Sequence, residues 1–130
     1  LRRKANVNYR TILQGDTSFV YFKGALTENY IMTQLKCMGV DSYFWRTKAD
    51  AEIDFITDYE GVLLPIEVKS ADNTRAKSLH LFCNRYRPKM AIKTSLKNVG
   101  DNMDSETHVW SIPLYAFFRM KVYIENEMGW

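Results

Sequence analysis

The sequence predicts an α/β domain with a mixed central β-sheet flanked by helices, and three observations carry that prediction. A helical segment precedes three successive stretches rich in aromatic and β-branched residues. Short turn signals join those stretches, as in a three-strand meander. A longer helical segment then leads to a further strand, the crossover that places parallel neighbours in one sheet with helices on both faces. In order, Lys23 to Met38 reads as a helix that stops at Gly39, a good C-terminal cap residue. Ser42 to Thr47, Ala51 to Asp58 and Val62 to Ser70 read as strands. Asn73 to Tyr86 has helical character, Lys89 to Ser95 is another strand, and Asn98 to Thr107 is a polar loop. His108 to Ile112 forms a last strand, followed by a helix from about Pro113.

At 130 residues the chain has the size of one ordinary domain. Its 46% hydrophobic and 25% charged residues are those of a globular protein, and no repeat or low-complexity tract interrupts it. The polar, basic opening LRRKANVNYR reads as a connection from a longer polypeptide, so residues 1–22 are expected to be an arm and 23–130 the domain. Apolar runs such as Val62 to Ile66 and Ser111 to Phe118 are far shorter than a membrane span and no signal-peptide pattern opens the chain, so a cytoplasmic protein without a membrane partner is expected. Cys37 and Cys83 have neither CxxC spacing nor neighbouring histidines, which argues against zinc and for two small buried hydrophobes without a disulfide partner. His80 and His108 stand alone and receive no role.

The net charge of +3 is unevenly spread. Between Lys69 and Lys97 the basic residues Lys69, Arg75, Lys77, Arg85, Arg87, Lys89, Lys93 and Lys97 face one acid, Asp72. Such an excess can track a phosphate backbone through counterion release, with Arg75 and Lys77 as the candidate contacts; it also fits a solvated helix face. Trp45 and the aromatic run Tyr115, Phe117, Phe118 and Tyr123 read as packing rather than base-stacking groups, and Arg46 as a partner of Glu52 or of a phosphate.

Strand alternation puts Glu52, Asp54 and Ile56 on one face, and Glu67 with Lys69 on one face of the next strand. A two-residue Glu60-Gly61 turn would set Asp54 opposite Glu67, and a four-residue loop would shift the partner by two positions and still leave both carboxylates on the same face. Adjacent carboxylates repel, which calls for Lys69 or a divalent cation as compensation; a half-exposed ion-pair cluster is the plainer alternative. On the first helix, Glu28 stands at i relative to Ile31, Met32 and Leu35, where it interrupts an apolar stripe or marks its rim.

The strings Glu52-Ile-Asp54-Phe-Ile and Ile66-Glu67-Val-Lys69-Ser70, following a helix that bears Glu28, resemble the PD-(D/E)XK nuclease superfamily, with Ile53-Asp54 where Pro-Asp often stands. More closely, Lys23-Gly-Ala-Leu-Thr-Glu28-Asn-Tyr, Tyr43-Phe-Trp45-Arg46, Ala51-Glu-Ile-Asp54-Phe, Ile66-Glu67-Val-Lys69-Ser and Ala76-Lys77-Ser78-Leu79 look like the domain that follows the ATPase core in many bacterial and archaeal AAA-type ATPases. The resemblance runs from about Lys23 to Tyr115. It implies a restriction-endonuclease-like core in which Asp54, Glu67 and the carbonyl of Val68 hold Mg²⁺ or Mn²⁺, and Glu28 holds it directly or through water. Lys69 would orient or activate the attacking water for DNA hydrolysis. No GxxxxGK[ST] string occurs in these residues, so the ATPase core would be a partner elsewhere on the same polypeptide. The competing expectation is a catalytically silent module that gives the ATPase nucleic-acid grip or assembly contacts. A small-molecule enzyme using paired carboxylates as acid and base is a third, without a second motif to support it.

Overall fold

A computed structural model describes residues 17–69 and 76–130 of the chain, with side chains in the first helix from Lys23 onward. Helix α1 spans Thr17–Cys37 and so begins six residues ahead of the expected start. It ends where the sequence places the stop: Gly39 adopts φ 69°, the Gly39 N–H reaches the Lys36 carbonyl and the Val40 N–H reaches the Leu35 carbonyl, each at 3.0 Å. This is a Schellman closure, and its accompanying apolar contact joins Leu35 and Val40 inside the core.

Three antiparallel strands follow, β1 (Ser42–Arg46), β2 (Glu52–Tyr59) and β3 (Val62–Val68). The β2–β3 turn is the two-residue Glu60-Gly61 loop, with φ 51° and 82°, the positive pair that a twist-matched hairpin turn requires. The Asp58 carboxylate accepts the Gly61 N–H at 2.8 Å and steadies it. Tyr59 therefore pairs with Val62, and the register runs unbroken to Phe55 opposite Ile66.

Helix α2 (Lys77–Tyr86) crosses to β4 (Met90–Ser95), which lies parallel to β3 and to β6 (Thr107–Pro113). Among the described residues the sheet has six strands in the order β1-β2-β3-β4-β6-β5. The segment expected to be a polar loop contains the edge strand β5 (Gly100–Asp104), hairpinned to β6. Its GDNMD sequence has no β-propensity; it is mostly exposed, and pairing along β6 makes it a strand rather than side-chain preference. A 3-10 helix (Leu114–Arg119) and helix α3 (Met120–Met128) close the chain. No helix among the described residues is long and apolar enough to cross a membrane.

Two cores sandwich the sheet. On one face Ile31 and Leu35 of α1 meet Leu64, Ile66, Met90, Ile92 and Ile112 of the strands and Phe117, Met120 and Ile124 of the closing helices. On the other, Leu79, Phe82 and Cys83 of α2 cover Ile53, Ala91 and Val109. Trp45 meets Phe82 edge-on at 5.2 Å and belongs to this second core, as expected. Of the two cysteines only Cys83 is buried; Cys37 is exposed at the end of α1, which corrects the expectation for it. Within the aromatic run, Phe117 is core and Tyr123 packs on Trp110, whereas Tyr115 and Phe118 are exposed.

Candidate functional site

The expected alternation along β2 breaks at the point where the site forms. Tyr43 of β1 faces Ile56, but Trp45, two residues on, faces Ile53, three residues back. The extra residue is a bulge at Asp54-Phe55. Ile53 and Ile56 consequently share the α2 face, while Phe55 packs against the α1 face. Glu52, Asp54 and Ile56 thus do not share one face, because the bulge resets the parity between them.

Beyond the Phe55–Ile66 pair the two strands part, and the Asp54 side chain enters the gap: its Oδ2 accepts the Val68 N–H at 2.6 Å, in place of a main-chain carbonyl of β2. The N–H and C=O of one strand residue point the same way, so the Val68 carbonyl is directed to the Asp54 side as well. On its other side β3 stays laced to β4, where the Lys69 N–H reaches the Thr94 carbonyl at 2.8 Å.

Glu67 is only 4% exposed. Its Oε1 takes the Lys69 ammonium at 2.5 Å, the i, i+2 neighbour on the same face. Its Oε2 is buried and has no hydrogen-bond partner among the described residues. Burial pushes the Glu67 carboxyl up to about 7; the hydrogen bond from Lys69 opposes that rise, and the negative charge of Asp54 adds to it. Asp54 is likewise raised, by burial first, against the stabilising Val68 N–H and Lys69 charge. Glu28 stands exposed on α1, raised by desolvation and then by the charges of Asp54 and Glu52. It is a rim residue facing those two acids rather than an interruption of the buried stripe of Ile31 and Leu35.

The structure thus brings together Asp54, Glu67, Lys69 and the Val68 backbone, with Glu28 within electrostatic reach of Asp54. Glu52, not expected as part of the site, joins it electrostatically: its charge raises Glu28, Asp54 and Glu67 alike. Arg46 meets Glu52 at 3.8 Å, as expected, and also Asp50. Lys77 is exposed at the start of α2, and Arg75 lies outside the described residues.

A divalent cation suits this donor set in part. The orphaned Glu67 Oε2, the free oxygen of Asp54 and the Val68 carbonyl are hard oxygen donors, and Mg²⁺ binds through one or two carboxylates with water filling the rest. Among the described residues no group of three His, Cys, Asp or Glu side chains is assembled to hold a metal. Asp54 and Glu67 offer two carboxylates, and a cation held by them would need phosphate oxygens and waters to complete its shell.

Residues 23–117 match the family described as Domain of unknown function (DUF4143). The search of curated proteins gives no match. The chain belongs to the DUF4143 family.

Proposed function

For this member of the DUF4143 family, we propose metal-dependent hydrolysis of DNA phosphodiester bonds at the Asp54–Glu67–Lys69 site. The observation that carries the reading is Glu67, a carboxylate buried in the sheet with one oxygen on Lys69 and the other unsatisfied. A structural ion pair would satisfy both oxygens, because a buried unpaired carboxylate oxygen costs stability. In this reading Asp54, Glu67 and the Val68 carbonyl would hold Mg²⁺ or Mn²⁺, with Glu28 as a further ligand, direct or through water. Once bound, the ion would supply a lowered pKa for a bound water and neutralise charge on the phosphate. Lys69, held on Glu67, hydrogen-bonds and orients the attacking water. The sequence strings shared with domains that follow AAA-type ATPase cores support a place after such a core on one cytoplasmic polypeptide.

One observation favours a second reading, a catalytically silent module that contributes nucleic-acid or assembly contacts to the ATPase. The Lys69 ammonium is already closed on Glu67, and no third acid joins Glu67 and Asp54 in a metal-holding group among the described residues. Plasmid and oligonucleotide cleavage with Mg²⁺ or Mn²⁺ separates the two. Cleavage lost in Lys69→Ala supports the nuclease; no cleavage together with no metal-binding heat replaces it with the silent module.

A further inference from the structure

The sheet continues the acidic site into a basic groove. On adjacent parallel strands Glu67 is in register with Lys93, and Lys93 with Ser111 of β6. Neighbouring strands lie about 4.8 Å apart, and in-register residues point to the same face, so Lys93 stands directly beside Glu67 on the α2 side. There a groove of about 540 Å³ opens under the first turn of α2, lined by Lys77, His80, Lys93, Asn102 and Asp104 over an apolar floor that includes Leu79 and Val109. A groove of that size accommodates a nucleotide unit.

Its charge pattern suits an anion. Lys93 is half-buried, and neither it nor Lys77 enters an ion pair among the described residues. Asp104, the one acid among the groove's described residues, is occupied by His80, whose Nδ1 meets its Oδ1 at 2.6 Å. The other ring nitrogen of His80 meets the Asn84 amide nitrogen at 2.9 Å, which fixes the ring on the groove wall. Asn102 adds an amide that can donate to a phosphate oxygen. Of the groove's lining residues, Lys93 lies toward the C-terminal ends of the parallel strands, the end of such a sheet at which ligands bind, while Val109 and Asp104 carry the groove toward the opposite end.

We propose that this groove is a phosphate subsite, in which Lys93 and Lys77 hold the backbone phosphate next to the one presented to Asp54 and Glu67. The inference rests on the nuclease reading and deepens it: the groove sets the direction in which a nucleic-acid strand leaves the acidic site, across β4 toward β5. Lys93 is a substrate-positioning residue. Its role was hidden in a run of eight basic residues until the register set it beside Glu67.

The test is fluorescence-anisotropy binding of a labelled oligonucleotide to the intact protein in Ca²⁺ across a salt series, with cleavage in Mg²⁺ or Mn²⁺ measured in parallel. Lys93→Ala and Lys77→Ala should each weaken binding by about fivefold and lower the salt slope by about 1, while Lys36→Ala, on the exposed side of α1, changes neither. In the cleavage arm Lys93→Ala should raise KM more than it lowers kcat. If wild type binds and cleaves but the Lys77→Ala/Lys93→Ala double variant matches it, the subsite is wrong and the nuclease reading stands. If wild type neither binds nor cleaves, both fall together.

Discussion

The Asp54 carboxylate accepts the Val68 backbone N–H at 2.6 Å and so does two things at once. It closes the gap left where β2 bulges away from β3, and it holds a negative oxygen beside Glu67. A ladder carbonyl would have supplied the first without the second.

Asp54→Ala and Asp54→Asn should consequently separate. Alanine leaves the Val68 N–H unpaired and should cost about 1–3 kcal/mol, which outweighs the relief of repulsion expected from removing an acid. Asparagine keeps an acceptor there and removes the charge, so the metal-free protein should stay near wild-type stability while metal binding is lost. Urea denaturation in chelator, with titration calorimetry for Mg²⁺, reads both; equal stability of the two variants would refute the capping role.

Glu67→Gln should stabilise the metal-free protein at pH 8 and have little effect near pH 4. The folded carboxyl titrates at about 7 against an ordinary 4.5, so the folded state keeps the proton that the unfolded chain releases between those values. Stability is then highest below 4.5, declines as pH rises through the window, and carries its full penalty above 7. The upper bound is about 3 kcal/mol, reduced by the lost bond from Lys69. Chemical denaturation from pH 4 to 8 measures the difference, and a gain that does not grow with pH would contradict it.

His108 should also lose stability as pH rises, but by giving up a favourable interaction rather than by acquiring a buried charge. Its Nδ1 lies 2.7 Å from Glu127 of α3 and its Nε2 2.9 Å from Asp101 of β5, so both ring nitrogens donate and the imidazolium ties α3 to the β5–β6 hairpin. The hydrogen bond to Asp101 is the main cause of its raised pKa, followed, after an opposing burial effect, by Glu127. The stabilisation is complete below the ordinary 6.5 and is lost as pH rises through the folded value. His108→Gln should destabilise at pH 6 and be nearly neutral at pH 9; a penalty independent of pH would show that packing on Trp110 is what matters.

Gly61→Ala should lower stability by about 1 kcal/mol without touching the site chemistry, because an L side chain at φ 82° is strained although the space around it is open. Thermal denaturation should show it, alongside unchanged metal binding. Altered metal binding in this variant would mean that the turn sets the Asp54–Glu67 register by itself.

The turn, the helix stop at Gly39, the three-strand meander and the crossover were legible in the sequence because each rests on local chemistry: positive-φ glycine, β-branched periodicity and apolar stripes. Asp54, Glu67 and Lys69 were legible as neighbours because period-two spacing and one short turn are enough to bring them near each other, whereas Glu28 was added from its place on the first helix and from the resemblance. Three features needed the tertiary structure. Strand β5 exists through its partner, not its own composition. The bulge at Asp54 depends on β1 crossing β2 with one residue fewer, a non-local mismatch that leaves no trace in the spacing along β2. The neighbourhood of Lys93 and Glu67 comes from parallel pairing across a helical crossover, whose register is decided by how α2 packs its Leu79, Phe82 and Cys83 onto the sheet. Local propensity specified the elements; only long-range pairing decided which side chains share a surface.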